Sequence, residues 1–265
     1  MATVLDNPPR GARTRLARWQ PWHSAAVVAV TAFFVWMAVW LPFGVYSSWI
    51  IAMLALTTFT LVVGRGLTGV WKGAFVDDRL RMSLSRLQML TWTIVIVAAL
   101  GTMAIARAQT NPVTAMDVAV PPTVWALLGI SMTSLIGSPL IKNAKKSSAV
   151  AETPERVMAL GAARAARADT VEVEGQVVKN TSIDDAAFAD LFMGEYVETF
   201  AMLDIAKIQM FFFTVLLVLA YAIAVGRMLR TDPNLASLPE VGDGMLPILG
   251  ISHAGYLLSK AVTKP

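Results

Sequence analysis

The chain has 265 residues, 56% of them hydrophobic and 15% charged, with mean hydropathy +0.60, formal net charge +4 and no cysteine. Soluble domains carry about 45–50% apolar and about 25% charged residues. The composition therefore excludes a disordered chain, a disulfide scaffold and an ordinary water-soluble enzyme, and points to an integral membrane protein.

A helix rises 1.5 Å per residue, so about 20 apolar residues cross a hydrocarbon core of about 30 Å. Six spans are predicted in chain order: 24–43, 48–63, 87–106, 124–141, 208–225 and 245–259. No strand-like alternation appears in them, so the expected fold class is all-α. The first 22 residues hold no apolar run, so the first span reads as a retained anchor rather than a cleaved signal. Residues 1–23 form a basic segment and 24–64 a transmembrane hairpin.

Lys and Arg set the orientation. Nineteen basic residues fall on one side of this topology and three on the other. Both termini are expected in the cytoplasm. Trp19, Trp22 and Trp71 then lie at the inner interface, and Trp40, Trp49 and Trp125 at the outer one. The positive charge is accounted for as membrane flanks, and no nucleic-acid partner is expected.

A shift of 121 residues aligns 70–142 with 191–263 without a gap. Trp71, Gly73, Val76 and Asp77 fall on Phe192, Gly194, Val197 and Glu198. Ser83 falls on Asp204, both suited to cap the following span. Gln88-Met89 falls on Gln209-Met210, and Gly129-Ile130-Ser131 on Gly250-Ile251-Ser252. Two membrane repeats, 65–142 and 191–263, are expected. Each reads as an aromatic elbow, a rising span, an outer loop and a returning span. The copies run parallel, related by a pseudo-twofold along the membrane normal.

Between them, 143–190 reads as a small α+β cytoplasmic module. Pro154 opens a helix through about Ala168, and 171–178 alternates around Gly175 as a hairpin. Residues 182–192 read as an amphipathic helix with Ile183, Phe188, Leu191 and Phe192 on one side. So small a module is expected to pack on the elbows or on a neighbouring subunit.

Several motifs resemble a family of uncharacterised bacterial inner-membrane proteins. They are Ser83-Leu84-Ser85-Arg86-Leu87-Gln88, Gly129-Ile130-Ser131 with Ser138-Pro139-Leu140-Ile141, Asp190-Leu191-Phe192-Met193-Gly194-Glu195, Lys207 to Thr214, and Gly250 to Leu257. The resemblance covers the chain from about residue 65 onward and implies a bacterial plasma-membrane location. It implies no activity and transfers no functional residue.

The polar residues within the spans are the candidates for a site. Gly129, Ser131, Gly250 and Ser252 occupy matching repeat positions, as close-packing elements or as the lining of a central site. His253 is the one clearly intramembrane ionisable side chain, read as pore-lining or as hydrogen-bonded to a neighbouring helix. Gln88 and Gln209 open their spans and read as interhelical amides, while Arg86 and Lys207 beside them read as snorkelling cations. Lys142, Lys145 and Lys146 read as an inner flank and then as an anionic-lipid contact. On the elbows, Trp71, Asp77, Asp78, Glu195 and Glu198 are candidates for contacts with Arg79, Arg81 or the module.

Recognisable catalytic motifs are absent from the sequence, so no enzyme is expected. Two histidines and no cysteine argue against a metal centre or haem, and no cofactor is expected. The leading functional expectation is an oligomeric channel or pore for a small ion or solute. The alternative is a membrane scaffold or sensor that recruits a protein through the module. The expected partners are the lipid bilayer, further copies of the chain and, on the alternative, a cytoplasmic protein.

Overall fold

The computed structural model describes residues 19–40, 44–146, 154–166, 170–232, 236–242 and 244–262. The arginines at 10, 13, 15 and 18 lie outside the described residues, as do the Trp40 and Lys146 side chains.

The chain is mostly helical. The helices are α1 (Pro21–Trp40), α2 (Gly44–Thr68), α3 (Leu84–Thr110), α4 (Pro122–Lys146), α5 (Pro154–Ala166), α6 (Ile205–Thr231) and α7 (Met245–Ala261). Each predicted span lies on one of them, within a few residues. Four, namely α2, α3, α4 and α6, are long and apolar enough to cross a membrane. The six expected spans reduce to these four by length and composition. Helix α7 has 17 residues, and α1 counts only Pro21–Trp36 over its described side chains.

Helices α3, α4, α7 and α6 form a closed bundle in which each packs on two of the others. Helix α2 packs on α3 and α6, and α1 on α2. The core is Trp92, Val95, Ala99 and Met103 of α3 with Leu127 of α4, Leu217 and Tyr221 of α6 and Leu249 of α7. Trp92 is fully buried and meets the Tyr221 ring edge-on, centroids 5.8 Å apart. The shift of 121 residues carries Leu84 onto Ile205 and Thr110 onto Thr231, so α3 and α6 share their bounds under it. Asp204 accepts from the Lys207 amide as the expected cap. Ser83 stands at the matching position, but its side chain makes no cap bond.

At one end of the bundle the α3–α4 and α6–α7 loops join. The Ala119 amide donates to Ala236 O at 2.7 Å, and the Leu238 amide donates to Ala119 O at 3.0 Å. At the other end lie the elbows. A 3-10 turn over Trp71–Phe75 lies against α2, and a Cβ on Gly73 would fall 2.7 Å from the Gly64 carbonyl oxygen. Only glycine allows that approach.

Strands β1 (Val171–Glu174) and β2 (Val177–Asn180) form the expected hairpin, with Val173 opposite Val178. A third extended segment flanks β2. The Val178 amide donates to Glu195 O and the Val197 amide to Gln176 O. Val171, Val178, Val197 and Phe200 form a small core closed by Ala159 and Leu160 of α5. This module rests on the elbows, with the Asn180 amide donating to Arg79 O and its Nδ2 to Leu80 O.

The expected helix over 182–192 is corrected. Two short 3-10 turns, Ile183–Asp185 and Phe188–Leu191, replace it. Asp185 accepts from the Ser182 amide and Asp190 from the Ala187 amide. Each carboxylate caps its own short turn, an alternative to continuous helix that Asp and Ser side chains readily offer.

Candidate functional site

Two polar assemblies occupy the bundle interior. The first ties residues of α3, α4, α6 and α7. The Thr214 hydroxyl donates to Met210 O, so it has no proton left for Gln88. The Gln88 atom facing it at 2.7 Å is therefore the amide nitrogen, as donor. The same nitrogen lies 2.7 Å from His253 Nε2, which must accept. The imidazole is then neutral with its proton on Nδ1, which donates to Ser134 Oγ at 2.6 Å. One polar knot thus ties α3, α4, α6 and α7. An imidazolium here would set an N–H against the Gln88 NH2. The hydrogen bonds make His253 a link between helices.

The other candidates on these helices divide. Ser131 and Ser252 are buried beside the knot, and neither hydroxyl has a hydrogen-bond partner among the described residues. Gln209, the repeat counterpart of Gln88, is exposed. The close-packing role expected of the glycines is corrected. A Cβ on Gly129 would meet nothing within 4 Å, and one on Gly250 only Ile130 at 3.9 Å. Replacing His253 by Ala strips Gln88 and Ser134 of a partner. Interhelical hydrogen bonds in membranes contribute about 0.6–2 kcal/mol, so H253A is expected to lower stability by about 1–2 kcal/mol. Unfolding by denaturing detergent measures it, with Gln209→Ala as the unaffected control.

The second assembly sits at the elbow end and centres on Glu195. Its Oε1 meets Lys207 Nζ at 3.0 Å, Lys260 Nζ at 3.0 Å and Arg79 Nη2 at 3.2 Å. Lys142 Nζ approaches Oε2 at 3.1 Å as an ion contact without hydrogen-bond alignment. Arg79 also binds Asp77 at 2.8 Å. Lys260 donates to Ser138 Oγ at 2.6 Å and to the Tyr256 hydroxyl. Lys207 donates to Met193 O at 2.7 Å. Arg81 meets Asp190 at 3.4 Å, donates to Gly194 O at 2.9 Å and covers the Phe200 ring.

Five buried cations (Arg79, Arg81, Lys142, Lys207, Lys260) thus face three buried carboxylates (Asp77, Asp190, Glu195). Burial opposes ionisation of Glu195 and Asp77, but the cations outweigh it. Arg79, Lys142, Lys207 and Lys260 hold Glu195 well below the carboxylate range, and Arg79 and Lys142 do the same for Asp77.

The elbow candidates are reached only in part. Glu195 and Asp77 enter the cluster. Asp78 and Trp71 are exposed, with Arg65 over the Trp71 ring. Glu198 is exposed and pairs with Arg156 of the module at 3.2 Å. Two expectations are corrected: Lys207 does not snorkel, and Lys142 is no free flank. Both point inward because each lies on the bundle-facing side of its helix. The sequence carries that signal. Ser131, Ser134, Ser138 and Lys142 recur at helical spacing along α4, and His253, Tyr256 and Lys260 along α7.

No protein-family model matches the chain, and no curated protein or solved structure is significantly similar to it. The site is read from its own chemistry.

Proposed function

We propose that this chain is a multi-pass membrane protein that holds its α+β module rigidly on the bundle as a docking platform for a protein partner. One observation carries the reading. Glu195, on the segment paired to β2, is gripped by cations from α4, α6, α7 and the first elbow. The grip couples the module to every helix of the bundle except α3, and the Gln88–His253 contact brings in α3.

The packing of the bundle weighs against a pore through a single chain. A conducting axis needs water where Ser131, Ser252 and His253 lie buried. Beyond them Trp92, Leu127 and Leu249 fill the interior. Conduction, where it exists, belongs to an interface between copies of the chain.

The docking face we assign is a cavity of about 550 Å³ between the module and the ends of α6 and α7. Exposed Met202, Leu203, Ile205 and Val262 supply its apolar wall, and Arg156 and Glu198 its charged rim. The shared bounds of α3 and α6 support a duplicated unit. The Lys and Arg asymmetry supports a cytoplasmic elbow end with both termini inside.

A photo-crosslinking residue at Leu203 is expected to capture one protein of discrete mass in native membranes. The same residue at exposed Val113, by the joined loops, is expected to capture none. Ion flux through proteoliposomes of the pure protein, with no crosslink at Leu203, would replace this reading by the oligomeric pore.

A further inference from the structure

We propose that the cavity between the elbow-side ends of α3 and α4 holds the phosphodiester of one membrane phospholipid, as a bound structural lipid. The inference rests on α3 and α4 as membrane spans, and not on the docking role of the module.

The cavity has a volume of about 360 Å³. Its polar end is formed by Ser83, Ser85, Arg86 and Lys142. Arg86 is exposed and makes no hydrogen bond or ion pair among the described residues. Ser83 stands at the N-cap of α3, yet its hydroxyl caps nothing. The first-turn amides of a helix have no intrahelical acceptor, and their dipole favours an anion. Here that helix has 27 residues. Lys142 belongs to the cluster in which five buried cations face three carboxylates, and that net positive charge favours an anion nearby. Asp77 and Asp78 also line the cavity; Asp77 is paired with Arg79 and Lys142, and Asp78 is exposed to solvent.

The other end of the cavity is apolar. Met89, Leu90, Leu135 and Pro139 continue along α3 and α4 away from the elbows. A free phosphate has no use for such a wall, whereas an acyl chain does. Depth agrees. A 27-residue helix is about 40 Å long, close to the thickness of a bilayer with its headgroups. Arg86, on the first turn, then lies at the phosphate layer.

The full chain in mild detergent tests this by native mass spectrometry and by thermal unfolding with added lipid. One phospholipid adduct is expected to survive delipidation. Arg86→Gln is expected to weaken its retention about tenfold, the loss of one charge-assisted contact. Met89→Trp, which fills the apolar end and keeps the charges, is expected to expel the lipid. Arg227→Gln, exposed on the last turns of α6, is expected to leave it bound. Equal retention by all variants would mean only annular lipid and overturn the proposal. Inorganic phosphate alone protecting the delipidated protein as well as phospholipid does would also overturn it, in favour of a free-phosphate site. Since Arg86 is exposed and unpaired, unchanged melting of lipid-free R86Q separates lost binding from lost fold.

Discussion

Replacing Glu195 by Gln is expected to lower stability by about 3–5 kcal/mol, the usual cost of breaking a buried ion pair from one side. Gln has nearly the same shape, so packing is conserved and only charge is lost. Arg79, Lys142, Lys207 and Lys260 would then repel one another with Asp77 as their nearest counter-charge. Exposed Glu198, paired with Arg156, is the control. An exposed pair contributes about 0–1 kcal/mol, so E198Q is expected to be nearly silent. Reversible unfolding in detergent or bicelles measures both. Equal effects of the two variants would remove Glu195 from its central role.

The pH dependence gives a second readout of the same residue. The folded pKa values of Glu195 and Asp77 lie below their ordinary 4.5 and 3.8. The unfolded chain therefore binds more protons than the folded one as pH drops through the ordinary carboxylate range. The stabilisation is complete above that range and is lost as pH falls below it toward the folded values. Below about pH 5 stability is expected to decline as these two carboxylates take up protons. The decline should be shallower in E195Q, which has one fewer depressed carboxyl.

Gly194→Ala is expected to match that loss through a different cause. A Cβ at Gly194 would lie 2.6 Å from the Thr199 carbonyl carbon and nearer still to its oxygen. Backbone must move, because no flexible side-chain tip can yield. Overpacking costs about 1–3 kcal/mol, and more where backbone is the obstacle. The Gly194 amide donates to Met202 O, and its carbonyl accepts from Arg81. Displacement therefore disturbs the module and Glu195 together. Gly129→Ala, with open space around its Cβ, is expected to cost nothing comparable. Thermal melting of the two variants compares them. Equal melting would show that the 194–199 turn relaxes freely.

Much of the fold was legible because the membrane imposes a length scale. Each apolar run long enough to matter is a helix, and the hairpin around Gly175 sits where alternation places it. Over 182–192 apolar spacing alone suggests a helix. Local capping by Asp185 and Asp190 ends each turn early. The site was legible in fragments. The sequence marks Gln88 and His253 as polar positions on apolar helices, but not that they touch. It marks Glu195 as an elbow residue, but not as the meeting point of four cations.

The reason is geometric. Hydropathy measures position along the membrane normal, and on that coordinate Lys142, Lys207 and Lys260 are ordinary flanking charges. Their direction around the helix axis decides whether they face headgroups or the bundle, and that depends on how the helices are arranged. The sequence by itself determined an apolar, mostly helical chain and the positions of its long helices. Tertiary structure alone decided that a neutral imidazole ties the bundle together at its centre. It alone decided that cations from three helices and an elbow converge on one carboxylate. Ion contacts of about 3 Å join residues more than fifty positions apart, and no local pattern encodes that separation.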